Sequence, residues 1–244
     1  MGIFDEKVNR YETWTATLQF RAWLVGGHPK QAKALREFII RKADLLDTAE
    51  ILRSELIRLA AEYDIDVTSR PLTTEEIEKL VEEKALKTGN GFRFDSERGL
   101  YIESYQVKAA FRESCNIIFG GDRWGRTKKG AKSYLAERLF IEPDRIYLDR
   151  KEPDGVLLKT GTISGPQGKR SIMSQAEYVD RATISFDVKI ARDSKEILDA
   201  IPELWVSMQD QGLGAMRSSG HGTFDLVSWE PKQEVMIKRP RKVV

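Results

Sequence analysis

Cysteine occurs once, as Cys115, so neither an intramolecular disulfide framework nor a cysteine zinc cluster can be built. Histidine is almost as scarce: His28 and His221 are the only two, which excludes a histidine-rich metal centre. An excess of one charge is also missing. The 40 Lys and Arg against 38 Asp and Glu leave a formal charge of +2, which excludes a chain that coats nucleic acid by bulk charge and leaves room for a local basic groove. No apolar run approaches the roughly 20 residues of a membrane span, so no membrane partner is expected. The opening MGIFDEKVNR has no apolar stretch of a secretory signal, and Glu6 stands where a myristoylation signal carries Ser or Thr. These absences predict a cytoplasmic protein of a reducing compartment, with no metal and no cofactor.

What is present suffices for a folded domain. Hydrophobic residues make up 41% and charged residues 32% of the chain, so a core can form under a well-solvated surface. Alternation over Thr15–Val25, stopped by Gly26-Gly27, predicts a strand. Helical spacing runs from Gln31 to Tyr63, with a break expected near Asp44 or Asp47, and Thr73-Thr74-Glu75-Glu76 reads as a capped helix start. Ser104–Ile118 is a further helix, with Val107, Ala110, Phe111, Ser114 and Cys115 on its apolar face. Ala182–Ile190 alternates as a strand. A helix capped by Ser194 follows, interrupted or split by Pro202, and then the strand Thr223–Glu230. The order predicts an α+β fold: an antiparallel sheet with helices on one face and a large helical insert.

Three features can carry function. Gly212-Leu-Gly-Ala-Met-Arg-Ser-Ser-Gly-His-Gly222 places four glycines in eleven residues between a helix and a strand. Its amides, Arg217, Ser218 and Ser219 suit phosphate oxygens. Both common nucleotide loops run strand, glycines, helix, so this is neither of them. A connector that only turns the chain is the competing reading. Second, Lys108 and Arg112 share a helical face able to hold successive phosphates, unless that face is simply solvated. Third, Tyr105–Lys132 carries seven cations (Lys108, Arg112, Arg123, Arg126, Lys128, Lys129, Lys132) against two acids, with Trp124 among them. Cations tracking phosphates and a ring stacking on bases suit a single strand; a basic surface loop is the alternative. By contrast, Thr73–Glu83 holds five Glu and one Lys and points away from nucleic acid.

No catalytic set is assembled by the sequence. His28, in GGHPK with Lys30, is the one candidate general acid or base, as a metal-independent ribonuclease would require. No second histidine or oxyanion partner can be assigned to it, so a loop histidine that hydrogen-bonds or touches ligand is favoured. His221 reads as a backbone-packing or ligand contact, and Cys115 as a buried small hydrophobe.

Together these parts resemble the RAMP superfamily, the RNA-binding proteins of CRISPR effector complexes. TATLQFRAWLVGG is similar to that family's first strand and glycine-rich exit. LYIESYQVKAAFRES is similar to its strand-to-helix signature, with Gln106 to Arg112 on the Lys-Gly-x-x-Arg core and Ala109 in place of the usual Gly. GLGAMRSSGHG followed by TFDLVSWE is similar to its glycine-rich loop and last strand. The likeness frames residues 15 to 230, and the insert at 31–90 has no counterpart. It implies one ferredoxin-like, RRM-type domain over 1–244, with a thumb-like hairpin at 155–178 and a basic tail at 232–244. The backbone subunit that coats a guide RNA fits best. Its partners would be the guide, a target DNA or RNA paired to it, further copies of itself and other effector subunits. Lys169 and Arg170 would lie near the thumb tip. Some backbone subunits cut target RNA with an aspartate after the first strand; here that loop, Gly26–Lys30, has none, which favours binding alone. A guide-processing ribonuclease using His28, a structural assembly protein on the same fold, and a stand-alone viral or mobile-element system are the alternatives.

Overall fold

A computed structural model describes residues 10–42, 48–63, 65–67, 72–84, 89–125, 129–165 and 168–232. In chain order the elements are β1 (Tyr11–Phe20), β2 (Trp23–Val25), β3 (His28–Pro29), α1 (Ala32–Lys42), α2 (Thr48–Glu62), α3 (Thr74–Lys84), β4 (Asn90–Gly91), β5 (Arg93–Asp95), β6 (Gly99–Glu103), α4 (Ser104–Phe119), α5 (Ala131–Arg138), β7 (Leu139–Glu142), β8 (Arg145–Tyr147), β9 (Gly155–Gly165), β10 (Gly168–Asp180), β11 (Thr183–Ala191), α6 (Lys195–Gln211), a short 3-10 turn (Arg217–Ser219) and β12 (Phe224–Pro231).

The centre is a four-stranded antiparallel sheet in the order β12-β1-β11-β7. Counting only these strands and the helices α4 and α6, the chain runs β-α-β-β-α-β with sheet order 4-1-3-2. This is the ferredoxin-like, RRM-type arrangement. Alternation sets the faces. On β11, Ile184, Phe186, Val188 and Ile190 turn inward, with Thr183, Ser185 and Asp187 between them. The inward side packs on Val107, Phe111 and Cys115 of α4 and Ile197, Leu204, Trp205 and Met208 of α6. The other side is mostly polar, although Phe140 is exposed on it, and its polar groups pair across strands: the Thr15 hydroxyl donates to Asp187 (2.8 Å) and the Thr183 hydroxyl to Gln19 (2.7 Å).

Two insertions interrupt this core. Residues 21–103 lie between β1 and α4. Their three helices close over a second apolar cluster that includes Leu35, Leu56, Leu59, Ile77 and Val81. Helix α3 opens with a reciprocal capping box, in which the Thr73 amide donates to Glu76 (2.8 Å) and the Glu76 amide to the Thr73 hydroxyl (3.3 Å). Residues 143–182 lie between β7 and β11 and carry β8 and the β9–β10 hairpin. β10 joins a second sheet with β2, β4 and β3.

Several local expectations change. The strand expected over Thr15–Val25 begins earlier, at Tyr11, and divides at Arg21-Ala22 into β1 and β2, which belong to different sheets. Pro202 neither interrupts nor splits α6. Its ring sits on the solvent side, where the carbonyl left without an amide partner can meet water, while Ile197, Ile201, Leu204 and Trp205 hold the other face to the core. Ser194 precedes α6 but is buried and makes no side-chain cap. The expected break near Asp44 or Asp47, and all of the basic tail beyond Lys232, lie outside the described residues.

Candidate nucleic-acid interface

The core topology brings the glycine-rich loop against the start of α4. Between them is an open cavity of about 330 Å³ lined by Gly27, Tyr105, Gln106, Ala109, Glu113, Gly214 and Arg217, among others. Small residues at Gly27, Ala109 and Ala215 keep the cavity open. Gln106 offers amide donors and acceptors, and Tyr105 is 42% exposed. Arg217 supplies the cation and is held by Glu113, Nη1 to carboxylate 2.8 Å.

The loop's glycines are demanded by backbone geometry. Gly222 has φ +78°, and a Cβ there would come within 1.9 Å of the Leu213 carbonyl oxygen; at Gly214 (φ +84°) it would meet the Val25 oxygen at 2.5 Å. The loop is strapped to the first insertion: Ala215 N–H donates to Val25 O and Gly222 N–H to Trp23 O, each at 2.8 Å. The amides of Gly212, Leu213, Ser219 and Gly220 are also used within the loop or on the end of α6. Six of the amides that the sequence offered to phosphate are therefore committed to protein. Arg217 and the exposed hydroxyls of Ser218 and Ser219 are the loop groups left that could meet an anion. The Lys159 ammonium on β9 meets the Ser219 hydroxyl. His221 stacks on Trp23 at 5.5 Å.

The other candidates are dispersed. Lys108 and Arg112 lie on the flank of α4 away from the cavity. Lys108 Nζ sits 4.5 Å from the Phe140 ring centroid, and burial, reinforced by the Arg112 charge, pushes its ammonium below the ordinary lysine value. Arg123 is exposed and pairs through its backbone with Gly130. Trp124 is 9% exposed and packs edge-on against Phe119 (4.8 Å) and Tyr134 (6.4 Å), so its ring belongs to the core. Lys129 pairs with Glu137. Arg126 and Lys128 lie outside the described residues. Lys169 and Arg170 lie on β10 opposite Ser164 and Ile163.

Lys30 and His28 are buried, at 6% and 7% exposure. Lys30 reaches Glu62 at 2.6 Å and Glu177 at 4.0 Å, joining α2 to β10. The Glu177 carboxyl, pushed up by burial and pulled down by the Lys30 charge, also accepts the Phe92 amide at 2.9 Å. The Tyr63 hydroxyl donates to Lys30 O (3.0 Å), and burial drives it up to about 12. Sequence reasoning did not reach Tyr105, Glu113, Trp23, Tyr178 or Lys159. Tyr105 and Glu113 were within reach, because they fall at helical spacing on the Ala109 side of α4.

No family model matches the sequence, and no curated protein matches it. Among solved structures, a chain in the cryo-EM structure of the Type III-B Cmr-beta bound to cognate target RNA matches over 91% of this chain, with 11% identity and a TM-score of 0.43. The match spans 60% of the length of that chain. At this level of likeness nothing about ligand or activity is carried over. Among the described residues, no helix is long and apolar enough to cross a membrane.

Proposed function

We propose that this chain is a non-catalytic RNA-binding protein similar to the backbone subunits of CRISPR effector complexes, holding a guide RNA in the groove between α4 and the loop 212–222. The observation that carries this reading is that one cavity brings together Gln106 on α4 and Arg217 in the glycine loop. Arg217, Ser218, Ser219 and Lys159 contact sugar and phosphate. Lys108, Arg112 and Arg123 extend the positive track along the α4 side. The protein then holds backbone and shape, and base pairing supplies specificity towards a target DNA or RNA. The hairpin over 155–178 serves as a thumb towards the next copy on the guide, in the cytoplasm. Helices α1, α2 and α3 pack around an apolar cluster of their own, and none of their residues lines the cavity.

Burial of His28 favours binding over cleavage, because general acid–base work on a phosphodiester needs a ring open to the substrate. The test is single-stranded RNA binding by fluorescence anisotropy, read across a salt series. Arg217→Glu combined with Lys108→Glu and Arg112→Glu is expected to abolish binding while circular dichroism stays native. Unchanged affinity in the folded triple variant overturns the proposal. Copies of protein per RNA, counted by native mass spectrometry, should rise with RNA length.

A further inference from the structure

Three rings stand in one ladder beside the groove. Trp23 on β2 stacks on Tyr178 of β10 (4.5 Å, 25° between planes) and, on its other side, on His221 of the glycine loop (5.5 Å, 18°). Strand pairing builds the first step. Trp23 is opposite Asp180 and Val25 opposite Tyr178, so Trp23 and Tyr178 are diagonal neighbours on one face. Gly155, opposite Tyr178, leaves room for the phenol: a Cβ there would lie 2.8 Å from its oxygen. Tyr178 is thus backed by the hairpin, Trp23 is sandwiched, and among the described residues His221 ends the ladder.

The near-parallel geometry differs from most ring packing in the core. Phe111 and Trp205 cross at 68°, Trp124 and Tyr134 at 85°, and Trp205 and Phe224 at 89°. Among the described residues the other parallel pair, Trp14–Trp229, is backed by Trp205 and belongs to the core side of the sheet. All three rings of the ladder are partly exposed. Polar groups precede His221 in the same loop: Ser219 and Arg217 are two and four residues before it, and Lys159 touches Ser219. Two residues of chain span at most about 7 Å, the scale of one nucleotide from phosphate to base.

The geometry points to a base-stacking subsite: His221, stiffened from behind by Trp23 and Tyr178, receives one unpaired nucleobase whose phosphate lies at Lys159, Ser219 and Arg217. Stacking on a flat ring is indifferent to base identity, which suits a protein that leaves sequence to pairing. The subsite rests on the RNA-binding reading above and adds a contact to the base itself. A fixed stop for one base would set the register of each copy on the strand.

The test is a thermodynamic cycle. Wild type and His221→Ala are titrated with a short fluorescein-labelled single-stranded RNA of mixed sequence, and with the same strand made of abasic sugars. His221→Ala is expected to weaken binding of the RNA about 5- to 150-fold, the range for one lost base–aromatic stack. It should leave abasic binding unchanged, and His221→Phe should restore RNA binding. Equal affinity of wild type and His221→Ala for the RNA overturns the subsite while leaving RNA binding intact. An equal loss on both strands also overturns it, since His221 would then act through the loop backbone. Absence of any RNA binding by wild type overturns the functional reading and the subsite with it.

Discussion

Replacing Lys30 by Met tests whether this residue is structural. Its ammonium lies 2.6 Å from the Glu62 carboxylate, and both side chains are 8% exposed. Methionine matches the stem in length and removes the charge. Glu62 and, at 4.0 Å, Glu177 then lose their cation in a site that water barely reaches. Breaking a buried pair from one side costs about 3–5 kcal/mol, because a buried charge is left uncompensated. For a chain of this size each kcal/mol moves the melting midpoint by roughly 2–4 °C, so a fall of about 6–20 °C is expected. The pH dependence gives a second readout. Glu177 is already raised by burial and loses the Lys30 charge that lowers it, so it rises further in the variant. A carboxyl raised in the folded state adds stability below its unfolded value and loses it as pH climbs through the folded one. The penalty should therefore be largest at neutral pH and shrink on acidification. Chemical denaturation at several pH values, with Lys30→Met, Glu62→Gln and the double variant, measures both effects. The double variant should recover much of the loss. A penalty below about 1 kcal/mol that does not change with pH would refute the reasoning.

Four further outcomes follow from the loop and from α4. Gly222→Ala forces an alanine to φ +78° with its Cβ 1.9 Å from a backbone oxygen, and should cost at least about 2 kcal/mol in denaturant unfolding. Gly220→Ala, at φ +81° with open space around it, should cost only about 1 kcal/mol. Cys115 is fully buried and its thiol is pushed up to about 11, so an aromatic disulfide reagent at pH 8 should leave the native protein unlabelled and find one thiol after denaturation. Glu113→Gln frees Arg217 from its carboxylate. The pair is 34% and 46% exposed, so RNA affinity should tighten only about two- to five-fold, and a loss of affinity would show that Glu113 positions the arginine.

The elements easiest to read from sequence were those whose pattern is local. The five residues assigned to the apolar face of α4 are the five its buried side presents, because helical spacing alone decides them. The Thr73–Glu76 box needs only four residues, and β11 alternates along its buried stretch. The first half of β1 was missed because Tyr11 to Thr15 are all half-buried, leaving no contrast for alternation to show. Function was less legible for a similar reason. Lys30, in a basic context next to a glycine turn, resembles a phosphate ligand until α2 and β10 bring Glu62 and Glu177 to it. Trp124 sits among cations in sequence and beneath Phe119 and Tyr134 in space. The Tyr178–Trp23–His221 ladder joins three segments that no window of sequence contains.

The groove's back wall comes from the insertions as well as from the core. Val25 and Trp23 strap the glycine loop, and a Cβ at Gly26 would strike Gly91 at 2.3 Å, so β2 is pressed on the segment that leads out of the helical lobe. Gly91 lies in turn against Glu177 and Lys30. The buried ion pair thus adjoins, through Gly91 and β2, the loop that carries Arg217, although Lys30 does not line the cavity. The adjacency has a consequence that separates structure from contact. In Lys30→Met, RNA affinity should fall along with stability, and Glu62→Gln in the same chain should restore both. In Arg217→Glu, affinity should fall with stability unchanged, and no substitution at Glu62 should bring it back. Anisotropy and denaturation on the same preparations distinguish the two patterns. Affinity lost in Lys30→Met without a fall in stability would make Lys30 a direct ligand, reached by an opening of the α2–β10 contact.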